Sequence, residues 1–278
     1  MNIDKRLCGM TFALAILTSI GLLSGCNGAS PAPDDQTDTS SHLETILERG
    51  QLTMLCYPSL EGGFVDFEIE ALQETGLTLA ELRDPKYFSG DDIDRIRAFA
   101  EFLGIGLEVL PITTGYSDLI KAVAEGRGDL AASSLSITSE RLRLVDFSIP
   151  IGATWAVVAV PLDSDVSSLK DLIGKKGAAM KGSSQLEVFG REAPEGIELQ
   201  LTSFNLESYA MIEEGKVDFI LMDSDAPVSE PARNGFEQVK VAFRLERTDY
   251  GIALPKGSDL LPRLNEFLAL SDSSPNPR

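Results

Sequence analysis

From Leu52 onward the apolar residues alternate between short continuous runs and runs spaced three or four positions apart. Leu52 to Cys56 is a short apolar run that predicts a strand, and a second strand is expected at Leu107 to Leu110. Between them Ile93, Ile96, Phe99 and Leu103 recur at helical spacing, and Gly104 is placed to end that helix. Leu119, Ile120 and Val123 share a second helical face that closes at Gly126. Trp155 to Val160 is apolar throughout, the pattern of a buried strand, and Val239 to Phe243 is its candidate return. Ser167 to Ile173 reads as helical, followed by a strand running into Gly182-Ser183-Ser184. Tyr209 and Ile212 mark a further helix face, ended by Gly215. Strands and helices in alternation predict an α/β fold.

Two of these units echo each other. Tyr116 to Ala132 reads YSDLIKAVAEGRGDLAA, and Ser208 to Met222 reads SYAMIEEGKVDFILM. Both carry Glu-Gly-(Arg/Lys)-x-Asp at the helix-to-strand turn, as Glu125 to Asp129 and Glu214 to Asp218. The first strand runs into Ser133-Ser134-Leu135-Ser136-Ile137-Thr138, the second into Asp223-Ser224-Asp225. Ligands of open α/β sheets sit beyond the carboxyl ends of the strands. One lobe would therefore offer hydroxyls and the other a carboxylate, across a shared cleft. The expected lobes are residues 43–158 with 243–270, and residues 159–242.

The N-terminus changes the picture. Lys5 and Arg6 precede an apolar run from Met10 to Leu23, and then Ser24-Gly25-Cys26. This reads as a secretory signal over residues 1–25, too short to span a bilayer comfortably. The cysteine after two small residues resembles a bacterial lipobox, which implies lipidation of Cys26 and a membrane anchor. Residues 26–42 are poor in apolar side chains and are expected to be a tether, as residues 271–278 are a tail.

A net charge of −19 leaves no basic stripe to displace counterions from nucleic acid. With Cys8 in the signal and Cys26 lipidated, only Cys56 remains, so the domain has no disulfide framework. His42 is the sole histidine and lies at the tether boundary, which argues against a Ser-His-Asp or Cys-His device. No metal-ligand spacing and no phosphate-cradling glycine loop occurs, so neither a metal nor a cofactor is expected.

Ser133 to Ser148 (SSLSITSERLRLVDFS) resembles bacterial extracellular solute-binding protein family 3, the polar amino-acid receptors of ABC importers. Gly90-Asp91-Asp92-Ile93-Asp94, SLKDLIGKKG at 168–177, Lys181-Gly182-Ser183-Ser184, Asp218 to Asp223 and Tyr250-Gly251-Ile252-Ala253 extend the likeness over roughly residues 43 to 268. It is closest to histidine and lysine/arginine/ornithine binders. The resemblance implies a type II, Venus-flytrap periplasmic binding protein with two crossover strands. It also implies a monomer, an ABC permease as partner and a small polar ligand, an amino acid.

By the same resemblance Ser134 or Ser136, Arg141 and Ser183 or Ser184 hold the ligand's backbone groups, and Asp223 its amine. The residue chemistry stands beside this. The fork of Arg141 matches a carboxylate, and Ser183 and Ser184 stand at a helix start that favours an anion. Duller roles are open too: Thr138 is a credible helix cap ahead of Arg141, and Ser183, Ser184 and Asp223 are possible caps. Ser133 adds a further hydroxyl at the same turn.

Three departures from the family stand out. The ligand-packing ring expected after the first strand falls near Leu60, leaving Tyr57, Phe64 or Tyr116 as substitutes. Residues 65–89 lengthen a loop, with Leu77, Leu79 and Leu82 suited to a helical insertion over the cleft mouth. The closing helix is expected to be missing beyond Leu268, and Pro227 and Pro231 interrupt another helical segment. Cyclohexadienyl dehydratases resemble the same family, with Asp223 or Asp225 as candidate general acid here. Sensory and cell-wall-associated modules resemble it as well.

Overall fold

The computed structural model describes residues 41–58, 64–224 and 239–272. The signal, Cys26, the tether up to Ser40, Leu60, Asp225, Pro227, Pro231 and the tail from Ser273 lie outside the described residues. No helix among the described residues is long and apolar enough to cross a membrane.

The described chain opens with α1 (His42–Arg49), β1 (Gln51–Cys56), β2 (Asp66–Phe67), α2 (Ile69–Thr75), β3 (Phe88–Ser89) and α3 (Asp91–Leu103). It continues through β4 (Gly106–Pro111), α4 (Tyr116–Ala124), β5 (Leu130–Ser136), β6 (Val145–Phe147) and β7 (Gly152–Pro161). Then come β8 (Lys176–Met180), α5 (Ser184–Glu192), β9 (Glu198–Thr202), α6 (Asn205–Glu213), β10 (Phe219–Asp223), β11 (Val239–Pro255) and α7 (Leu260–Asp272).

One mixed sheet runs β4-β1-β5-β11-β7-β10-β8-β9, with β6 also on β11. The long antiparallel pair β7 and β11 joins two lobes. Near Gly152 and Tyr250 it borders β5, and from Ala156 onward β7 pairs with β10 instead. Parallel strands β4, β1 and β5 build the first lobe, and β10, β8 and β9 the second. Each lobe buries both sheet faces, as parallel strands require. In β1, Leu52, Met54 and Cys56 enter one core, while Leu55 enters another with Leu119 and Val123. In β7, Val157 and Ala159 face Tyr209 and Ile220, while Val158 and Val160 face Phe189 and Phe219.

The repeated turn has the same geometry in both lobes. The N–H groups of Gly126 and Arg127 donate to Val123 and Ala122, and those of Gly215 and Lys216 to Ile212 and Met211. The glycines sit at φ 69° and 68°, closing both helices with the same left-handed motif. Each following aspartate then pins the start of a neighbouring strand. Asp129 Oδ2 accepts from Thr53 N at 2.6 Å, and Asp218 Oδ2 from Lys176 N at 2.8 Å.

The two aspartates differ in burial. Asp129 is buried and also pairs with Arg49 and with His42 Nε2, whose Nδ1 meets Ser258 Oγ at 2.8 Å. His42 is thus the first residue of α1, which Ser41 caps, and its ring hydrogen-bonds into the domain. Asp129→Ala should cost about 3 kcal/mol in a denaturant titration and Asp218→Ala about 1 kcal/mol or less. Equal losses would show that the shared strand contact, and not the α1 network, sets the value of Asp129.

Other expectations need correction. Ser167 to Ile173 is not a full helix: only Leu169–Leu172 form a 3₁₀ turn, because the Asp171 carboxylate gathers the N–H groups of Ser167 and Ser168. Residues 65–89 fold against the first core, where Val65, Ala71, Leu82 and Phe88 join Ile93 and Phe99. Leu79 packs partly on this core, Leu77 is exposed, and Val109 N donates to Arg83 O at the edge strand β4. The last helix is present through Asp272, two residues past the expected end at 270, and buries Leu260, Leu264 and Leu268.

Cys56 is wholly buried, and this desolvation, with the Asp92 carboxylate nearby, raises its thiol far above the ordinary range. A protonated, enclosed thiol is inert. In a chain starting at Asn27, where Cys56 is the sole cysteine, a thiol reagent should label it only on unfolding. Labelling of the native domain at the rate seen in urea would contradict this.

Candidate functional site

The ends of β5 and β8 bring most of the predicted polar residues to one place between the lobes. Ser136, at the end of β5, and Ser184, first in α5, hydrogen-bond through their hydroxyls at 2.8 Å. Ser183 is the helix cap: its Oγ accepts from Leu186 N at 3.3 Å. The alternatives left open for this pair therefore divide, with Ser183 capping and Ser184 reaching across.

Arg141 is 9% exposed and lies in a 3₁₀ turn whose entry Thr138 caps, its Oγ1 accepting from Arg141 N. The cap sets the backbone and leaves the guanidinium turned inward. Its Nη1 donates to Ser136 O at 3.0 Å and its Nη2 to Gly182 O at 3.3 Å, one carbonyl from each lobe. No carboxylate among the described residues forms an ion pair with it. Burial pulls its pKa down from the ordinary value, opposed by Tyr116, Glu187, Asp223 and Glu140 around it. A guanidinium has five N–H donors, so two carbonyls leave donors for an incoming anion.

In the second lobe Asp223 ends β10, and its Oδ1 accepts from Gln185 Nε2 at 2.6 Å. Gln185 went unnoticed in the sequence. Its place, one residue into a helix that follows a glycine-serine turn, is the only signal it gives.

An aromatic wall closes one side. The rings of Tyr57 and Tyr116 lie 4.9 Å apart, and Tyr57 stacks on Phe204 of the second lobe at 6.3 Å. Tyr57 Oη donates to Ser203 O, and Arg141 sits 5.9 Å over the Tyr116 ring. Two of the three proposed substitutes for the expected ring, Tyr57 and Tyr116, are thus together, whereas Phe64 packs edge-on against Tyr250. Phe204 was not anticipated. Gly182, at φ 75°, approaches so closely that a Cβ there would strike the Ser117 side chain of the first lobe.

Ser133 and Ser134 make hydrogen bonds within the first lobe. The Ser133 hydroxyl accepts from Tyr57 N at 2.9 Å and donates to Tyr57 O, tying β5 to the end of β1. Ser134 has φ 50°, and its N–H donates to Asp92 Oδ2 at 2.8 Å. Asp92 is 1% exposed and pairs with Arg95 at 2.8 Å. Among the described residues no group of three or more His, Cys, Asp or Glu side chains is set to hold a metal.

The chain as a whole is similar to known proteins. Residues 80–274 match the family described as bacterial extracellular solute-binding proteins, family 3. The L-cystine-binding protein TcyJ of Escherichia coli (strain K12) is 24% identical over 82% of this chain and 79% of its own length. The glutamine-binding protein of Geobacillus stearothermophilus is 29% identical over 77% of this chain and 80% of its own. Among solved structures, holo ArgBP from T. maritima superposes with a TM-score of 0.68 at 25% identity, covering 84% of this chain and 95% of that one.

Proposed function

The chain belongs to family 3 of the bacterial extracellular solute-binding proteins, and on that premise we propose that it binds a free amino acid between its lobes and delivers it to an ABC permease. The carrying observation is Arg141, nine-tenths buried, charged, and without a carboxylate partner among the described residues. An α-carboxylate would supply the missing charge, and Ser136 and Ser184 the neighbouring hydroxyls. Asp223, positioned by Gln185, would accept from the α-ammonium. Tyr57, Tyr116 and Phe204 would cover the ligand's apolar surface.

Binding by closure follows from where these groups sit. A ligand touching both lobes favours the state in which they meet, by its differential affinity for that state. The strand pair β7 and β11 is the proposed hinge, with the lobes dividing within residues 153–158 and 243–250. Export by the N-terminal signal, lipid anchoring at Cys26 and a monomeric state complete the proposal.

A thermal-shift screen of the chain from Asn27 against L-arginine, L-glutamine, L-cystine and the other natural amino acids tests this reading. One of them should raise Tm in a saturable manner. A flat response across all of them would refute it.

A further inference from the structure

Between Ala131, opposite Ala253, and Leu135, opposite Gly251, residues Ala132, Ser133 and Ser134 face Ile252 alone. Ile252 turns its own N–H and C=O to Ser148, at 3.0 and 2.9 Å, and has no partner in the β5 register. This bulge stands directly before the cleft residues, a place where bulges re-aim the chain. Ser134 emerges from it at φ 50°, the only described non-glycine residue with positive φ. That conformation costs an L-residue on the order of 1 kcal/mol or more, so something must hold it.

The geometry points to Asp92 as a positioning residue for the ligand site: its buried carboxylate, fixed at the start of α3, holds the Ser134 peptide in its left-handed turn. Oδ2 takes the Ser134 N–H that lost its ladder partner, while Oδ1 takes Arg95 Nη1. Asp92 is anchored in turn, since its N–H donates to Phe64 O at 3.0 Å. Burial raises its pKa, and the Ser134 N–H and Arg95 oppose that rise. The carboxylate touches neither Ser136 nor Arg141. It acts through the backbone that presents them.

This role rests on the binding proposal, so the experiment has two readouts. In the full chain in detergent, affinity for L-arginine, L-glutamine and L-cystine is measured by calorimetry, and Ser134 amide exchange by NMR. Asp92→Ala should weaken binding about tenfold or more and release the Ser134 amide to fast exchange. Arg95→Ala should lower Tm yet leave affinity within about threefold, because it spares the Ser134 contact. Asp92→Asn retains an oxygen acceptor, so it should keep both the slow amide and the affinity. It carries the test if Asp92→Ala does not fold.

Equal loss of affinity in Arg95→Ala and Asp92→Ala would overturn the proposal. So would a Ser134 amide that exchanges freely in the unaltered chain, or in Asp92→Asn with affinity unchanged. If the unaltered chain binds none of the three amino acids, the binding proposal fails for them. The positioning claim is then decided by whether Asp92→Ala frees the Ser134 amide.

Discussion

Arg141→Ala should abolish ligand-induced stabilisation while leaving the unliganded domain close to its original stability. At a ligand concentration of 100 times Kd, the unaltered protein gains about 2.7 kcal/mol, a Tm rise of roughly 5–10 °C. Stripping one side of a desolvated charge pair typically costs 2–5 kcal/mol of binding, and a loss of about 2.8 kcal/mol is a hundredfold in affinity. The same ligand concentration then adds only about 0.4 kcal/mol. Without ligand the variant loses two hydrogen bonds to carbonyls and is relieved of a buried cation, so those terms oppose each other. Arg141→Lys should do little better, since an ammonium cannot fork between two carbonyls and a carboxylate. A thermal-shift titration of the three proteins checks this, and full stabilisation of Arg141→Ala would remove the guanidinium from the site.

The second large effect is expected at Gly182. Its φ of 75° strains any L-residue, and an added Cβ would meet the side chain and backbone N of Ser117 in the opposite lobe. Gly182→Ala should therefore keep the lobes from meeting and break the Arg141 and Ser184 bridges with them. The expected loss is about thirtyfold to a hundredfold in affinity, beyond an unliganded destabilisation of about 1–2 kcal/mol. Gly174 supplies the control, for its φ is 78° but the space around it is open. Gly174→Ala should lose similar stability and bind as before. Matching affinities for the two variants would show that approach at Gly182 is immaterial to binding.

How much of this was legible beforehand depended on whether a residue's role is local. Helix ends were legible, because Gly104, Gly126 and Gly215 close helices by a conformation only glycine adopts cheaply. Strands β1, β7 and β10 showed as apolar runs because both their faces are buried. Arg141 stood out by its setting, and the Thr138 contact that competed with a ligand role falls on its backbone N–H and not on its guanidinium. The insertion at 65–89 was misjudged because spacing gives helical character but not which surface the leucines meet.

Contacts between distant segments were illegible. Ser136 and Ser184 lie 48 residues apart, and Ser134 and Asp92 lie 42 apart. Asp92 reads in sequence as one more acidic residue in the first turn of a helix, where carboxylates are common. Its burial, and its contact with the Ser134 N–H, show only in the fold. Gln185 and Phe204 likewise acquire meaning once the second lobe stands against the first.

Electron density for an amino acid co-crystallised with the domain would test the central claim most directly. The account predicts the α-carboxylate within hydrogen-bonding distance of the Arg141 guanidinium and the α-ammonium on Asp223, with Tyr57 or Tyr116 against the side chain. A bound amino acid whose carboxylate is held elsewhere, with Arg141 still bonded only to the carbonyls of Ser136 and Gly182, would contradict it.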